Sequence, residues 1–495
     1  MLLTIAALPL LAALASATAS RGDAERRAAF GTGAVGVAFA LSLAAFGLVL
    51  AGQSTDGFLL GIDRLRGLML ILVTGIATIV HAFATRYMNS DPGYARFFAW
   101  LGAVTAAVIG VVLASNLAVL AVAWCGVSVA LYQLQIHYRD RPVALAAARP
   151  MRAAFAIGDL AMVGACAALA WTNHTGSIAA TLAGANAMST PLLYVVVGLF
   201  AIAAFSKSSQ IPLHRWLPDT MEAPTPVSAL MHAGIVNAGG FLLVRFSPLV
   251  VDARGLAVVI FLAGAATAFW GSSCMLVRPD VKRGLAYSTV GQMGYMIMQC
   301  GLGAFPAAIL HLFAHGIFKA TLFLGSGYAV HDFKRELRAP VEAKNAVRHP
   351  RAGAAAGMLV VAAGVAVALS PLGRALPPYG WVLLSFATLT CMQAVYAIVR
   401  RGTAAEIAAA AALVIVVLPG YAALVGAFDR FLAADVAAPA LLVSPILAGA
   451  VVALFALGLI LSWGIVALPA ALRDRAYVWL LSEGIPFRVR AKRNA

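Results

Sequence analysis

The chain has 495 residues, 62% of them hydrophobic and 11% charged, and a mean hydropathy of +0.92. That is more apolar material than the core of a water-soluble protein encloses, so the composition excludes a soluble globular domain and requires an integral membrane protein. The formal net charge of +16 does not indicate nucleic acid, because its distribution over the loops between oily segments matches membrane topology instead.

Stretches that meet the roughly 17–25 residues needed to cross a bilayer fall near 2–19, 31–51, 66–84, 97–113, 116–135, 153–171, 191–206, 225–246, 255–277, 285–302, 305–330, 354–371, 380–399, 404–427 and 442–467. They predict an all-α polytopic membrane protein of about 14–15 transmembrane helices. The first, MLLTIAALPLLAALASATAS, resembles a cleaved signal at its ATA end, but it lacks a basic start and Arg21, Arg26 and Arg27 follow it; a retained helix is expected. With the N-terminus outside and the helices alternating, most of the 35 Lys and Arg residues land on the cytoplasmic side. This is the bias of a bacterial inner-membrane protein with a cytoplasmic C-terminus, and the basic tail from Arg473 to Arg493 then meets anionic lipid or a partner.

The chain divides into N-terminal helices (1–115), a polar core (116–330), and C-terminal helices with the basic tail (331–495). Between the helices there is no room for a soluble domain, so soluble catalysis must belong to another polypeptide. Cys125, Cys166, Cys274, Cys300 and Cys391 are scattered through apolar segments without a CxxC pair. They read as core thiols, not as disulfides or metal ligands, and no cofactor is expected.

Several ionisable residues lie where lipid or packed helix is predicted. Asp159, in AFAIGDLAMVG, sits inside a helix and calls for a basic partner such as Lys207. Lys207 closes one apolar segment and is followed by Pro212, Pro218, Pro224 and Pro226, which break a helix and expose backbone groups that protein or water must satisfy. On the residues alone, Lys207 either occupies a buried site or snorkels to the interface beside Arg215, Asp219 and Glu222. His232 lies beyond snorkelling reach, either bonding a neighbouring helix or passing protons. In HLFAHGIFKATLF (311–323), His311, His315 and Lys319 recur every four residues and share one helical face. A charge at mid-membrane costs roughly 2.5–3.5 kcal/mol, so a proton relay explains that row better than packing. Zinc on His311 and His315 is the competing idea, with no carboxylate or thiol alongside to complete the site.

DRLRGLMLILVTGIATIVHAFATRYMNSDPGYARFFAW (63–100), FSKSSQIPLHRWLPDTMEAPTPVSALMHA (205–233), VRPDVKRGLAYSTVGQMGYM (277–296) and HLFAHGIFKATLF together resemble the antiporter-like subunits of respiratory complex I and multisubunit cation/proton antiporters, above all the L-type subunit. The resemblance implies inverted helical repeats, broken helices and a central polar axis that carries protons. In it Lys207 matches the broken-helix lysine, His232 the basic residue of the next helix, and His311, His315 and Lys319 the later half of the axis.

Three departures stand out. Cys125 follows Trp124 where the family carries a glutamate that pairs with the lysine, so Lys207 needs another acid, Asp159 or Glu222. The later lysine near a glycine–phenylalanine–serine–lysine turn is absent, with Arg374 in its neighbourhood. The long amphipathic extension of the complex I subunit has no room before Ala495. LYQLQIHYRDRPVALAAARPMRAAFAIGDLAM (131–162) is similar to the membrane subunits of DAB-type inorganic-carbon accumulation complexes. That similarity implies proton or sodium flow coupled to CO2 hydration by a zinc-containing partner related to carbonic anhydrases, with no covalent chemistry in this chain. The alternatives are a pump subunit of a complex I-like oxidoreductase or cation/proton antiporter, and a passive anchor.

Overall fold

A computed structural model describes residues 1–18, 22–185, 188–278, 280–336, 350–401, 404–462 and 469–482. The first half comprises α1 (Leu2–Ala17), α2 (Ala24–Leu50), α3 (Arg64–Tyr87), α4 (Tyr94–Leu113), α5 (Leu117–Gln135), α6 (Pro142–Asn173), α7 (Ile178–Ala183), α8 (Thr190–Lys207) and α9 (Trp216–Asp219). Then follow α10 (Thr225–Ala233), α11 (Ala238–Arg245), α12 (Ser247–Asp252), α13 (Arg254–Leu276), α14 (Val281–Leu302) and α15 (Phe305–Glu336). The last third holds α16 (Pro350–Leu369), α17 (Pro371–Arg374), α18 (Gly380–Arg401), α19 (Ala404–Leu432), α20 (Pro445–Ser462) and α21 (Ala470–Ser482). One small hairpin, β1 (Thr55–Asp56) against β2 (Gly61–Ile62), is antiparallel.

By length and composition, 11 helices among the described residues can cross a membrane, with α10 and α11 counted together. Shorter apolar helices lie at Leu2–Ala17, Ala356–Leu369 and Pro445–Leu461. The remaining predicted span is α14, whose 22 residues carry lysine, arginine and glutamine and are buried mostly from Ala286 onward. Three elements depart from the expected boundaries. α6 begins at Pro142, because Pro142 suits the first helical turn and Pro150 is accommodated inside the helix. α15 runs unbroken past residue 330, where the polar core was expected to end. The expected span 225–246 is two helices, interrupted by a 3-10 turn over Ile235–Asn237. Of the basic tail, α21 is described and residues 483–495 lie outside the described residues, as does the loop 337–349.

Hydrogen bonds sort the loops into two ends. At one, the His137 ring meets Asp91 at 3.0 Å, Arg96 donates to the His137 carbonyl, Thr225 bonds Tyr87, and Arg278 donates to the carbonyls of Leu480 and Leu481. Arg86, Arg96, Arg139, Arg141, Lys282 and Arg283 gather here, making it the basic end. At the opposite end, Leu60 bridges Ala114, Asn116 bridges Ser177, the Ala437 N–H donates to Ser247, and the Leu442 N–H donates to the Leu302 carbonyl.

Helices pack through small residues, since lipid supplies no hydrophobic force between them. In the α13–α14 contact a Cβ on Gly264 would overlap the Met298 amide and one on Gly301 the Phe261 amide. Replacing Gly264 with valine therefore forces the pair apart and is expected to cost about 1–3 kcal/mol. Thermal unfolding in detergent checks this, with Gly284→Ala, whose added Cβ meets nothing within 4 Å, as the silent control.

At the opposite end a charged knot fastens the start of α3. Asp63 caps the helix by accepting from the Arg66 N–H at 2.7 Å, and Arg66 also pairs with Asp63 at 2.6 Å and Asp56 at 3.0 Å. Asp435 faces the same helix start. Burial, then the neighbouring Asp63 carboxylate, push its carboxyl up to about 6 against the opposing pull of Arg64, the Leu65 backbone and Arg66. A carboxyl raised in the folded state stabilises the fold when protonated, and that contribution is lost as pH rises through about 6. Relative to Asp435→Asn, the wild-type melting midpoint should therefore fall between about pH 4 and 7; parallel midpoints across that range would remove Asp435 from the pH response.

Candidate functional site

The site is built around two interrupted helices. α8 stops at Lys207, and Ser209 then takes a left-handed backbone with φ 54°, a turn that a non-glycine residue holds only where its surroundings enforce it. Here the Ser209 hydroxyl donates to the His214 carbonyl at 2.9 Å and the Ile211 N–H donates to Thr267 at 3.1 Å. The chain folds back so that the Trp216 indole N–H donates to the Ser206 carbonyl at 2.9 Å, an acceptor the broken helix leaves open. The second break follows α10. Ser208 donates to the Val236 carbonyl at 2.6 Å and the Asn237 amide to the Ala233 carbonyl at 2.7 Å. The two breaks are thus joined through Ser208.

Lys207 is fully buried, not snorkelling. Its Nζ lies 3.2 Å from Asp159 Oδ1, donates to the Trp124 carbonyl at 3.2 Å and contacts the Ser128 hydroxyl. Ser128 in turn donates to Asp159 at 2.8 Å, and the rings of Phe155 and Trp124 stand 4.4 and 5.1 Å from the ammonium. The acid that α5 lacks at Cys125 is therefore supplied by α6. Glu222 is exposed in the turn Thr220–Glu222, away from this contact. Gly158 makes the arrangement feasible, since a Cβ there would overlap the Ser206 side chain and hold α6 off α8.

The second group lies on α10, α14 and α15. His232 is fully buried, its ring stacked on Phe323 at 4.3 Å, and neither ring nitrogen has a hydrogen-bond partner. His315 is buried with both nitrogens unpartnered and stacks on His311 at 6.0 Å. His311 Nε2 is unpartnered as well. Lys319, fully buried, donates to Ser288 at 2.9 Å and the Leu285 carbonyl at 3.3 Å. Among the described residues, no group of three or more His, Cys, Asp or Glu is placed to hold a metal ion.

Ser128, Gly158 and Ser288 belong to this site but were not singled out from sequence. Ser128 had a usable signal: it lies four residues after Trp124, on the same helical face. Ser288 had none, because its role depends on α14 meeting α15.

The family described as "NADH:quinone oxidoreductase/Mrp antiporter, TM" matches residues 114–401, and the family of the N-terminus of complex I chain 5 matches residues 55–98. A probable inorganic carbon transporter subunit DabB1 of Halothiobacillus neapolitanus is 44% identical over 281 residues, 55% of this chain and 50% of that protein. The NADH-quinone oxidoreductase subunit L of Mycobacterium tuberculosis is 37% identical over 327 residues, 64% of this chain and 52% of its own. The chain spans about half the length of these relatives. A solved Mrp complex from Dietzia sp. shares the fold, with a TM-score of 0.62 at 23% identity, covering 98% of this chain and 59% of that one.

Removing the Asp159 charge leaves the Lys207 ammonium buried without its counter-ion. Asp159→Asn is expected to destabilise the protein by on the order of 3 kcal/mol, at the low end for a buried pair because Asp159 keeps some exposure. Adding Lys207→Met should recover most of that loss. A double-mutant cycle on thermal midpoints measures it, and additive effects would dissolve the pair as a unit.

Proposed function

Since the chain belongs to the NADH:quinone oxidoreductase/Mrp antiporter family, we propose that it conducts protons, or sodium ions, across the membrane as the energy-coupling subunit of a larger complex. The observation that carries this reading is the row of buried basic groups at the helix breaks and on the facing α15: Lys207 with its acid, then His232, His315 and His311 with unpartnered nitrogens, and Lys319 on neutral acceptors. Buried polar atoms that lack protein partners are ordinarily satisfied by water, and water between imidazoles gives protons a hopping route. Asp159 holds the Lys207 ammonium in place, so moving a proton on from Lys207 changes the field felt along the rest of the row. Each basic group takes up one proton and releases one, so in the chain only N–H bonds form and break.

The cargo of the coupling is inorganic carbon in this proposal. The likeness to the DabB1 subunit and the missing glutamate at Cys125 support it. A zinc-containing, carbonic-anhydrase-like partner then docks at the basic end, which faces the cytoplasm by the positive-inside rule; the N-terminus lies outside a bacterial inner membrane and the C-terminus inside. The chain itself is a transport subunit, not an enzyme. A second reading, a redox-driven pump subunit, has the longer likeness to subunit L in its favour.

Purifying the full chain with whatever it binds separates the two: a zinc protein is expected, whereas flavin or iron–sulfur subunits would establish the redox pump. In cells, Lys207→Ala and Lys319→Ala should abolish bicarbonate accumulation while the complex still assembles. Unchanged accumulation in both would reduce the membrane subunit to an anchor.

A further inference from the structure

A second set of polar side chains leaves the axis at His311 and runs to the opposite end of the bundle. Tyr295 on α14 packs against His311, ring centroids 5.4 Å apart, and its hydroxyl interacts with that of Tyr421 on α19. Tyr379, just before α18, is fully buried in the same apolar cluster that Tyr421 packs against. Its hydroxyl donates to Asp429 Oδ1 at 2.7 Å. Asp429 is half-buried, three residues before the end of α19, at the end where Leu442 meets Leu302.

These groups run through an apolar cluster that includes Phe261, Val382, Leu383 and Val425. Phenylalanine would fill the same volume there without burying a hydroxyl, and a buried hydroxyl is costly unless bonded. Phenols placed in a row between an unpartnered imidazole and a carboxylate that reaches water suit proton transfer better than packing alone.

We propose that Tyr295, Tyr421, Tyr379 and Asp429 form a proton relay connecting His311 to the aqueous surface at the opposite end. This rests on the proton-conducting function proposed above. A proton leaving His311 is accepted by the Tyr295 oxygen as that hydroxyl passes its own proton to Tyr421. Tyr421 and Tyr379 repeat the exchange, and the last proton goes to the Asp429 carboxylate and on to water. Rotation of the three hydroxyls resets the chain, so no bond other than O–H and N–H forms or breaks.

The test uses the full chain purified with its partner subunits in liposomes, with proton flux driven by a potassium diffusion potential and read by an internal pH dye. Tyr379→Phe and Tyr421→Phe, which remove only a hydroxyl, should lower flux on the order of tenfold or more without moving the thermal midpoint. Asp429→Asn should do the same; it keeps an oxygen acceptor for Tyr379, so a bond that is merely structural survives it. Wild-type flux in all three, alongside loss in Lys319→Ala, overturns the relay and leaves the conducting axis standing. No flux in the wild type overturns both.

Discussion

An ammonium group in the middle of an oily bundle is the constraint from which the site follows. Lys207 is buried completely, and an unpaired charge there would cost more than any single packing contact returns. It therefore dictates its surroundings: a carboxylate within contact distance on α6, a serine and a carbonyl on α5 to take the remaining ammonium protons, and a glycine at position 158 so that α6 can approach closely enough. The break after Lys207 belongs to the same requirement. An unbroken helix would bury its carbonyls in its own hydrogen bonds, whereas the interrupted one lends Ser206 to Trp216 and lets Ser208 reach Val236.

Much of this was legible in the chain because membrane proteins expose their exceptions. Charges and prolines among apolar residues mark Lys207 and the turn after it, and the four-residue spacing of His311, His315 and Lys319 needs only helix geometry to place them on one face. The need for an acid to replace the one missing at Cys125 came from the family resemblance, and of the two acids named, Asp159 is the one that touches Lys207. The second break was not legible. Gly234 within an apolar run is tolerated by an ordinary helix, and the 3-10 turn at Ile235–Asn237 is held by Ser208, 28 residues away. The long α6 was hidden for the opposite reason: arginines and Pro150 read as loop, yet a helix that extends beyond lipid carries them without penalty.

The two lysines are held differently, and in the proposed conducting axis that asymmetry would set a direction. Lys207 has a carboxylate, so its charged state is compensated locally and a proton there is held by a strong, charge-assisted contact. Lys319 has a serine hydroxyl and a carbonyl, neutral dipoles that orient it but leave its charge to act on its neighbours. Charge on Lys319 therefore reaches the histidines between the two sites across low-dielectric protein with little screening. Moving a proton onto or off either lysine alters the cost of protonating His232 and His315, and such coupling is what allows an event at one end of a membrane subunit to bias the other.

In the proposed relay the tyrosine row would give that axis an outlet. Where the family resemblance led to the expectation of a terminal lysine, the neighbouring region offers Arg374, a cation that does not deprotonate in proteins and so cannot hand a proton onward. Phenols and a carboxylate can. At the opposite end acids and arginines are interleaved, Asp56 and Asp63 with Arg66 and Asp429 with the adjoining Arg430. In the proposed relay a proton from His311 ends on the half-buried Asp429 carboxylate, an acceptor that can pass it to water on that side.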